Sequence, residues 1–226
     1  MTQPHARTRI KICGLTREQD VDAAVEAGAD AVGFVMYAPS PRFITPARAA
    51  ELARRLPPFV TPVLLFVNES SAAIQAAAAG MANAVIQFHG DETPAQCLEA
   101  TNHGARPFMR AARIPLDESV PFDLLKFASD YSSAQAILLD AHVDGYGGGG
   151  KAFNWSRLPP GVPSHLVLSG GLTPANVTDG IVQVRPRCKT LAVDVSSGVE
   201  SAKGIKDAEK IHRFVAAVRA ADRPLA

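Results

Sequence analysis

Short apolar segments alternate along the chain with segments that carry apolar residues at helical spacing. Eight apolar runs of five or six residues predict β-strands, and a predicted helix follows most of them. The predicted strands are Arg9–Cys13, Ala31–Met36, Val63–Val67, Ala84–His89, Pro107–Ala112, Ala136–Asp140, His165–Ser169 and Leu191–Val195. The predicted helices include Arg17–Ala27, Pro46–Leu56, Ser70–Gly80, Pro94–Ala100, Pro174–Val182 and Lys206–Ala220. This alternation is typical of βαβ units and predicts a parallel sheet.

Local signals mark the start of three of these helices. Thr45-Pro46, Thr93-Pro94 and Thr173-Pro174 each place a capping hydroxyl before a proline at the first helical position. The sixth helix is the least well marked, because Gly145–Gly161 mostly predicts a loop.

The number of units favours one closed fold. Eight strands without a linker predict a single-domain α/β protein, a (βα)8 barrel over residues 9–226 that follows a polar leader over residues 1–8. A doubly wound open sheet is the structural alternative.

Composition narrows the class of ligand and the compartment. A net charge of +1 provides no broad basic field for nucleic acid or acidic lipid, so an anionic ligand needs a local site. No apolar run approaches the roughly 20 residues of a membrane span, and Met1–Arg9 lacks the apolar region of a signal peptide. Cys13, Cys97 and Cys188 match neither a disulfide framework nor a zinc spacing, which predicts a reducing, cytoplasmic setting.

The ends of the strands are where a barrel carries its chemistry. Polar residues stand at several of these carboxyl ends, namely Cys13, Gln87, His89, Asp140, Ser169 and Asp194. Side chains alternate along a strand, so Lys11 and Cys13 share one face of the first strand and point toward the barrel axis. An ammonium near a thiol lowers the pKa of the thiol and makes it a usable base or nucleophile. A cysteine buried as a small apolar group is the alternative.

An aspartate ends the sixth strand after three aliphatic residues. Alternation places Leu138 and Asp140 toward the interior, where a carboxylate needs solvent or a partner. A structural carboxylate that caps the next loop is the alternative.

Two glycine-containing turns follow the seventh and eighth strands. Ser169-Gly170-Gly171 and Ser196-Ser197-Gly198 let backbone amides approach a ligand, and barrels of this kind bind phosphate between these two loops. Tight turns alone are the alternative. The segment Gly145–Ala152 resembles a P-loop, but Ala152 replaces the magnesium-binding hydroxyl, so we interpret it as a glycine-rich lid.

The remaining candidates are an arginine and the histidines. Arg42 of Ser40-Pro41-Arg42, after the second strand, can clamp a carboxylate with two hydrogen bonds or lie on the surface. His89 can line the site or carry a proton. The other histidines show no metal-binding spacing, so no metal is predicted: His5, His103, His142, His165 and His212.

Sequence motifs in this order occur in a known family. They are KICG at residues 11–14, GFVM at 33–36, SPR at 40–42, LLFVN at 64–68, QFHGDE at 87–92, LLD at 138–140, SGGLTPANV at 169–177, VDVSSGVE at 193–200 and GIKD at 204–207. With these motifs over nearly its whole length, the chain resembles the phosphoribosylanthranilate isomerases of tryptophan biosynthesis.

The resemblance implies an activity and a set of roles. The reaction converts N-(5-phosphoribosyl)anthranilate to 1-(2-carboxyphenylamino)-1-deoxyribulose 5-phosphate, with no metal, no cofactor and no partner besides this small phosphoribosyl substrate. Cys13 would be the general base, Asp140 the general acid, and Arg42 the partner of the anthranilate carboxylate. The further implied contacts are Lys11, Gln87, His89 and Asp194 for the substrate and Gly170, Gly171, Ser197 and Gly198 for its phosphate. Oligomeric state stays open between monomer and homodimer.

Departures and alternatives accompany this resemblance. Gly149 stands where the family usually has threonine, and Ser169 stands where it usually has alanine. Another phosphosugar barrel, such as indole-glycerol-phosphate synthase or a ribulose-phosphate epimerase, would need further lysines or metal ligands at the strand ends. An inactive phosphate-binding barrel would not need the pair Cys13 and Asp140.

Overall fold

The computed structural model describes residues 7–141 and 152–223 and shows a closed barrel of eight parallel strands. The strands are β1 Arg9–Cys13, β2 Ala31–Val35, β3 Thr61–Phe66, β4 Val85–Phe88, β5 Phe108–Ile114, β6 Ala136–Ala141, β7 Val162–Leu168 and β8 Cys188–Val195. Each strand pairs with the next, and β8 returns to pair with β1. The predicted (βα)8 barrel, often called a TIM barrel, is therefore confirmed over the open sheet.

Helices cover the outside of this barrel. They are α1 Glu18–Ala27, α2 Pro46–Ala53, α3 Ser71–Ala78, α4 Pro94–Ala100, α5 Leu124–Asp130, α6 Val177–Val184 and α7 Ala208–Ala221. Between β6 and β7, the described residues contain only a short 3-10 turn at Trp155–Arg157. The predicted glycine-rich lid, up to Lys151, lies outside the described residues.

Two of the three predicted helix starts are confirmed. Thr45 caps α2, and Thr93 caps α4 in a reciprocal pair with Gln96. The start predicted at Thr173-Pro174 is wrong, because α6 begins at Val177 after Asn176. The Asn176 side chain accepts from Thr173 N at 2.8 Å and donates to Gly171 O at 3.0 Å, which keeps this segment in the loop.

The alternation of side chains along the strands separates two layers of core. Ile10 and Ile12 pack outward in the main apolar cluster between barrel and helices, as predicted. Cys13 belongs to a separate interior cluster near the mouth of the barrel, and Leu138 belongs to another inside it. Residues on the inner face of β1 and β6 therefore point into the barrel, where the predicted chemistry requires them.

An antiparallel hairpin was not predicted and follows the eighth strand. A 3-10 turn at Ser197–Val199 leads into β9 Glu200–Ala202 and β10 Ile205–Lys206. Lys206 was predicted to begin a helix, but α7 starts at Ala208 with Asp207 as its cap. The hairpin is tied to the loop after β1, because Thr16 Oγ1 donates to Gly204 O at 2.9 Å.

The first and last elements are joined at the N-terminal end of the barrel. Thr8 donates from its backbone N and its Oγ1 to Asp222 at 2.9 and 2.7 Å, and Arg219 donates to Thr8 O at 2.8 Å. Thr8, counted in the predicted polar leader, is buried. None of the described helices is long and apolar enough to cross a membrane.

Candidate active site

The thiol of Cys13 lies at the carboxyl end of β1 above a buried ion pair. Lys11 Nζ donates to Asp194 Oδ1 at 2.8 Å, and Ser169 Oγ donates to the second oxygen of Asp194 at 3.0 Å. Gly33 on β2 pairs with Cys13, and a Cβ added there would lie 2.6 Å from Cys13 Sγ and 3.1 Å from Lys11 Nζ. A glycine at this position is therefore what leaves room for the thiol beside the ammonium. The Ser169 hydroxyl, a departure from the family pattern, is held by Asp194.

The thiol is more basic than the sequence predicted. Burial among Val35, Leu65 and Val67 raises the pKa of Cys13 above its ordinary value. The charge of Lys11 lowers this pKa, but Asp194 opposes it and the net direction is upward. Burial also disfavours the charge on Lys11, yet Asp194 and Cys13 outweigh it and hold the pKa of Lys11 above its usual range. The predicted lowering of the Cys13 pKa is therefore wrong for the protein alone.

Three side chains, Gln87, His89 and Asp140, form a hydrogen-bonded chain that ends at the Asp140 carboxylate near the end of β6. His89 Nε2 lies 2.9 Å from Asp140 Oδ2, and Gln87 Nε2 lies 3.0 Å from His89 Nδ1. The other carboxylate oxygen accepts from Ala141 N at 2.9 Å. With the Gln87 amide donating, His89 carries its proton on Nε2 and donates it to Asp140.

The Gln87 amide has a second orientation, which changes the ring nitrogen of His89 that carries the proton. Its Oε1 is buried without a hydrogen-bond partner among the described residues. A half-turn of the amide places Oε1 against His89 Nδ1, so that Nδ1 becomes the donor and Nε2 accepts from a protonated Asp140. The chain Gln87–His89–Asp140 can thus hold the carboxyl in either form with little movement, as a group that delivers a proton requires.

The two glycine turns lie against each other at the same end of the barrel. Gly170 and Gly171 have positive φ values of 75° and 65°, and their N–H groups donate to none of the described residues. A Cβ added to Gly198 would lie 1.9 Å from Leu172 O, so the loop after β8 packs directly on the loop after β7. With Ser197 at the start of the following turn, the four predicted phosphate residues form one continuous rim.

Arg42 is buried rather than a surface residue. It lies over Gly14, where an added Cβ would meet Arg42 Cδ at 2.5 Å, so its guanidinium is next to the Cys13 end of β1. Its Nε and Nη2 donate to the two oxygens of Glu200 at 2.7 and 2.8 Å. No pattern in the sequence predicted this partner. The structure thus brings all eleven candidate residues to the carboxyl end of the barrel.

Several residues with a role at this end were not predicted. Gly33, Glu200 and Lys206 belong to the motifs GFVM, VDVSSGVE and GIKD, but only their three-dimensional contacts identify them. Glu92 of QFHGDE accepts from Asn68 N and Gly90 N and joins the loops after β3 and β4. Within residues 7–141 and 152–223, no three acidic, histidine or cysteine side chains could jointly hold a metal ion.

A family model described as N-(5'phosphoribosyl)anthranilate (PRA) isomerase matches residues 10–217. The chain belongs to the phosphoribosylanthranilate isomerase family. A relative from Methylibium petroleiphilum named N-(5'-phosphoribosyl)anthranilate isomerase is 64% identical over 97% of this chain and 98% of its own.

Solved structures agree with this assignment. The isomerase of Thermotoga maritima, described as dimeric, is 39% identical with a TM-score of 0.82, over 94% of this chain and 99% of its own. Another phosphoribosyl anthranilate isomerase, in complex with reduced 1-(o-carboxyphenylamino)-1-deoxyribulose 5-phosphate, is 36% identical with a TM-score of 0.77 over the same shares of both chains. The family match spans every residue of the candidate site.

Proposed function

We propose that this chain converts N-(5'-phosphoribosyl)anthranilate to 1-(2-carboxyphenylamino)-1-deoxyribulose 5-phosphate by an acid–base Amadori rearrangement. The observation that carries the mechanism is the placement of Cys13 and Asp140. Both are buried at the carboxyl ends of strands. The Lys11–Asp194 ion pair lies beside Cys13, and His89 is hydrogen-bonded to Asp140. One acid and one base are what the reaction needs.

The first step is opening of the ribose ring. Asp140, protonated through the arrangement in which His89 Nε2 accepts from it, donates its proton to the ring oxygen. The carbon–oxygen bond breaks, the nitrogen lone pair forms a cationic imine, and the ring oxygen becomes a hydroxyl. Because Asp140 is backed by His89 and Gln87, it can be reprotonated after turnover.

The second step is proton removal from the carbon next to the imine. The positive imine acidifies this carbon, and its charge beside Cys13 favours the thiolate in the same way as Lys11 does. The raised pKa of Cys13 in the protein alone therefore fits a base that becomes effective only after ring opening. Cys13, after its own thiol proton has passed to solvent, takes the carbon-bound proton as the thiolate, and the resulting enolamine tautomerises to the ketone product.

Two anionic ends of the substrate fix its position. The rim of Gly170, Gly171, Ser197 and Gly198 offers backbone N–H groups to the phosphate, and Arg42 offers its guanidinium to the anthranilate carboxylate. Holding both ends leaves the sugar between the acid and the base, which lowers the entropic part of the barrier.

The test follows the loss of fluorescence of freshly generated phosphoribosylanthranilate. Cys13→Ala and Asp140→Asn should each lower kcat by about 10²- to 10⁴-fold and change KM far less, since each removes a proton-transfer group. Cys13→Ser should be nearly as poor, because an alcohol ionises too weakly at neutral pH. The matched control is Cys188→Ala at the opposite end of the barrel, which should keep its kcat. Wild-type kcat in Cys13→Ala would refute the mechanism.

We also propose that the chain forms a homodimer, the second of the two states that the sequence left open. Phe59, between α2 and β3, is 98% exposed at a φ of 73°. A cavity of about 920 Å³ opens at the same N-terminal end, lined by residues such as Asp30, Thr61 and Phe108. A two-fold axis would place each Phe59 in the partner's cavity. Sedimentation should give twice 23.8 kDa, and Phe59→Ser should give monomers; a monomeric wild type would contradict this.

We place the protein in the cytoplasm. The three cysteines are free, and Cys13 must stay reduced to act as a base. Fractionation of cells should recover the activity with the cytosolic proteins, and recovery from a secreted fraction would contradict this.

A further inference from the structure

Glu200 is a buried carboxylate held between two cations. Its Oε1 accepts from Arg42 Nε at 2.7 Å and from Lys206 Nζ at 2.9 Å, and its Oε2 accepts from Arg42 Nη2 at 2.8 Å. The side chain of Glu200 is 6% exposed and that of Lys206 is fully buried. Burial alone would raise the pKa of Glu200, but Arg42 and Lys206 outweigh it, so the carboxyl stays ionised.

This pairing fixes the orientation of the guanidinium. Nε and Nη2 form one edge of the planar group, and Glu200 occupies that edge with two parallel hydrogen bonds. Within the described residues, Nη1 makes no hydrogen bond, so a second carboxylate can approach only from the side where Nη1 lies. The same side chain passes over Gly14 beside Cys13, so the guanidinium lies near the catalytic end of β1.

The hairpin that carries Glu200 is itself anchored. Gly204 has a φ of 79°, and an added Cβ would lie 2.8 Å from Pro41 O, so the hairpin packs on the loop that carries Arg42. Lys206 also donates to Ser196 O and Oγ at 3.0 and 3.2 Å, next to the phosphate rim. Glu200 therefore extends from an anchored hairpin, whereas the Arg42 side chain that it binds has several rotatable bonds.

We propose that Glu200 is a positioning residue that holds the Arg42 guanidinium edge-on, so that its Nη1 side receives the carboxylate of the substrate. The proposal rests on the function proposed above, in which Arg42 binds that carboxylate. Without Glu200, Arg42 would lose the only partner that the described residues give its guanidinium, and binding would have to order a flexible side chain at the same time.

The test is a double-mutant cycle read by calorimetric binding. The variants are Glu200→Gln, Arg42→Ala and the combination, and the probe is reduced 1-(o-carboxyphenylamino)-1-deoxyribulose 5-phosphate. A second probe is the same compound without its carboxylate. Glu200→Gln should weaken the first probe about tenfold to a hundredfold, leave the second unchanged, and have no further effect in the Arg42→Ala background.

Two further variants keep the result interpretable. Glu200→Asp retains the charge but is one methylene shorter, so it should fold and bind the first probe with intermediate affinity. Glu209→Gln removes a carboxylate from an exposed ion pair on α7 and should bind both probes as the wild type does.

The outcomes separate this proposal from the one it rests on. Equal weakening of both probes, or the same weakening with and without Arg42, would overturn the positioning role and make Glu200 a structural residue. Unchanged affinity in Glu200→Gln would overturn it as well. If Arg42→Ala alone binds both probes normally, the carboxylate role of Arg42 fails first, independently of any effect of Glu200.

Discussion

Replacing Gly33 by alanine should damage the active site through a single methyl group. Gly33 lies on β2 directly beside Cys13, and its φ is not in the left-handed region, so alanine is acceptable to the backbone there. The added Cβ would lie 2.6 Å from Cys13 Sγ, 3.1 Å from Cys13 Cα and 3.1 Å from Lys11 Nζ. The thiol and the ammonium could rotate away, but the Cα could move only with its strand.

The size of the effect follows from these distances. Non-bonded atoms prefer separations of about 3.5–4.0 Å, so Sγ has to move by roughly 1 Å. A displacement of about 1 Å at a reacting group can cost on the order of 10²-fold in rate. Overpacking of this kind costs about 1–3 kcal/mol of stability. At about 2–4 °C per kcal/mol for a chain of this size, Tm should fall by about 2–12 °C.

The assay combines kinetics with thermal unfolding. Gly33→Ala should lower kcat about a hundredfold while KM changes little, because the atoms nearest the added Cβ belong to Cys13 and Lys11 and not to Arg42 or the phosphate rim. The matched control is Gly80→Ala, where an added Cβ has no atom within 4 Å, and it should keep both kcat and Tm. A kcat of Gly33→Ala within twofold of the wild type would show that the position of the thiol does not limit the reaction.

Two further predictions concern the protons of the site. Lys11→Met should move the rising limb of the kcat/KM profile to higher pH, because Lys11 lowers the pKa of Cys13, and Asp194→Asn should move it to lower pH, because Asp194 raises that pKa. Shifts in the same direction in a pH–rate series would contradict this. His89→Asn should lower kcat about tenfold to a hundredfold by interrupting proton supply to Asp140; a wild-type kcat at neutral pH would limit His89 to lining the site.

Much of the fold was predictable because its signals are local and repeated. The eight strands follow from apolar runs, and Thr45 and Thr93 cap their helices as their proline neighbours indicate. The error at Thr173 has a local cause that the Thr-Pro signal does not reveal, since the Asn176 side chain bonds back to Thr173 N and to the glycine turn. The hairpin after β8 was missed because its strands have three and two residues and no clear alternation.

The site was predictable in its positions but not in its electrostatics. Residues at strand ends on the inner face had to converge, so Cys13 and Asp140 could be named from alternation and motif. The pKa of Cys13 depends on burial and on Asp194, which is distant in sequence, so spacing alone gave the wrong direction. The partner of Arg42 was not predictable either, because Glu200 lies on a hairpin that no sequence pattern predicts.

The pairing of β1 with β8, which closes the barrel, also forms the ion pair below the catalytic thiol. Lys11 is in register with Asp194 in this pairing, and the two residues are 183 positions apart in the chain. Such a contact closes a long loop of chain, and the entropic cost of that closure has to be overcome before the ion pair can form. A chain in which β8 has not yet paired with β1 contains Cys13 but not the ion pair below it. Recovery of turnover during refolding should therefore coincide with protection of the amides in the β1–β8 ladder, and not with the earlier rise in helix content.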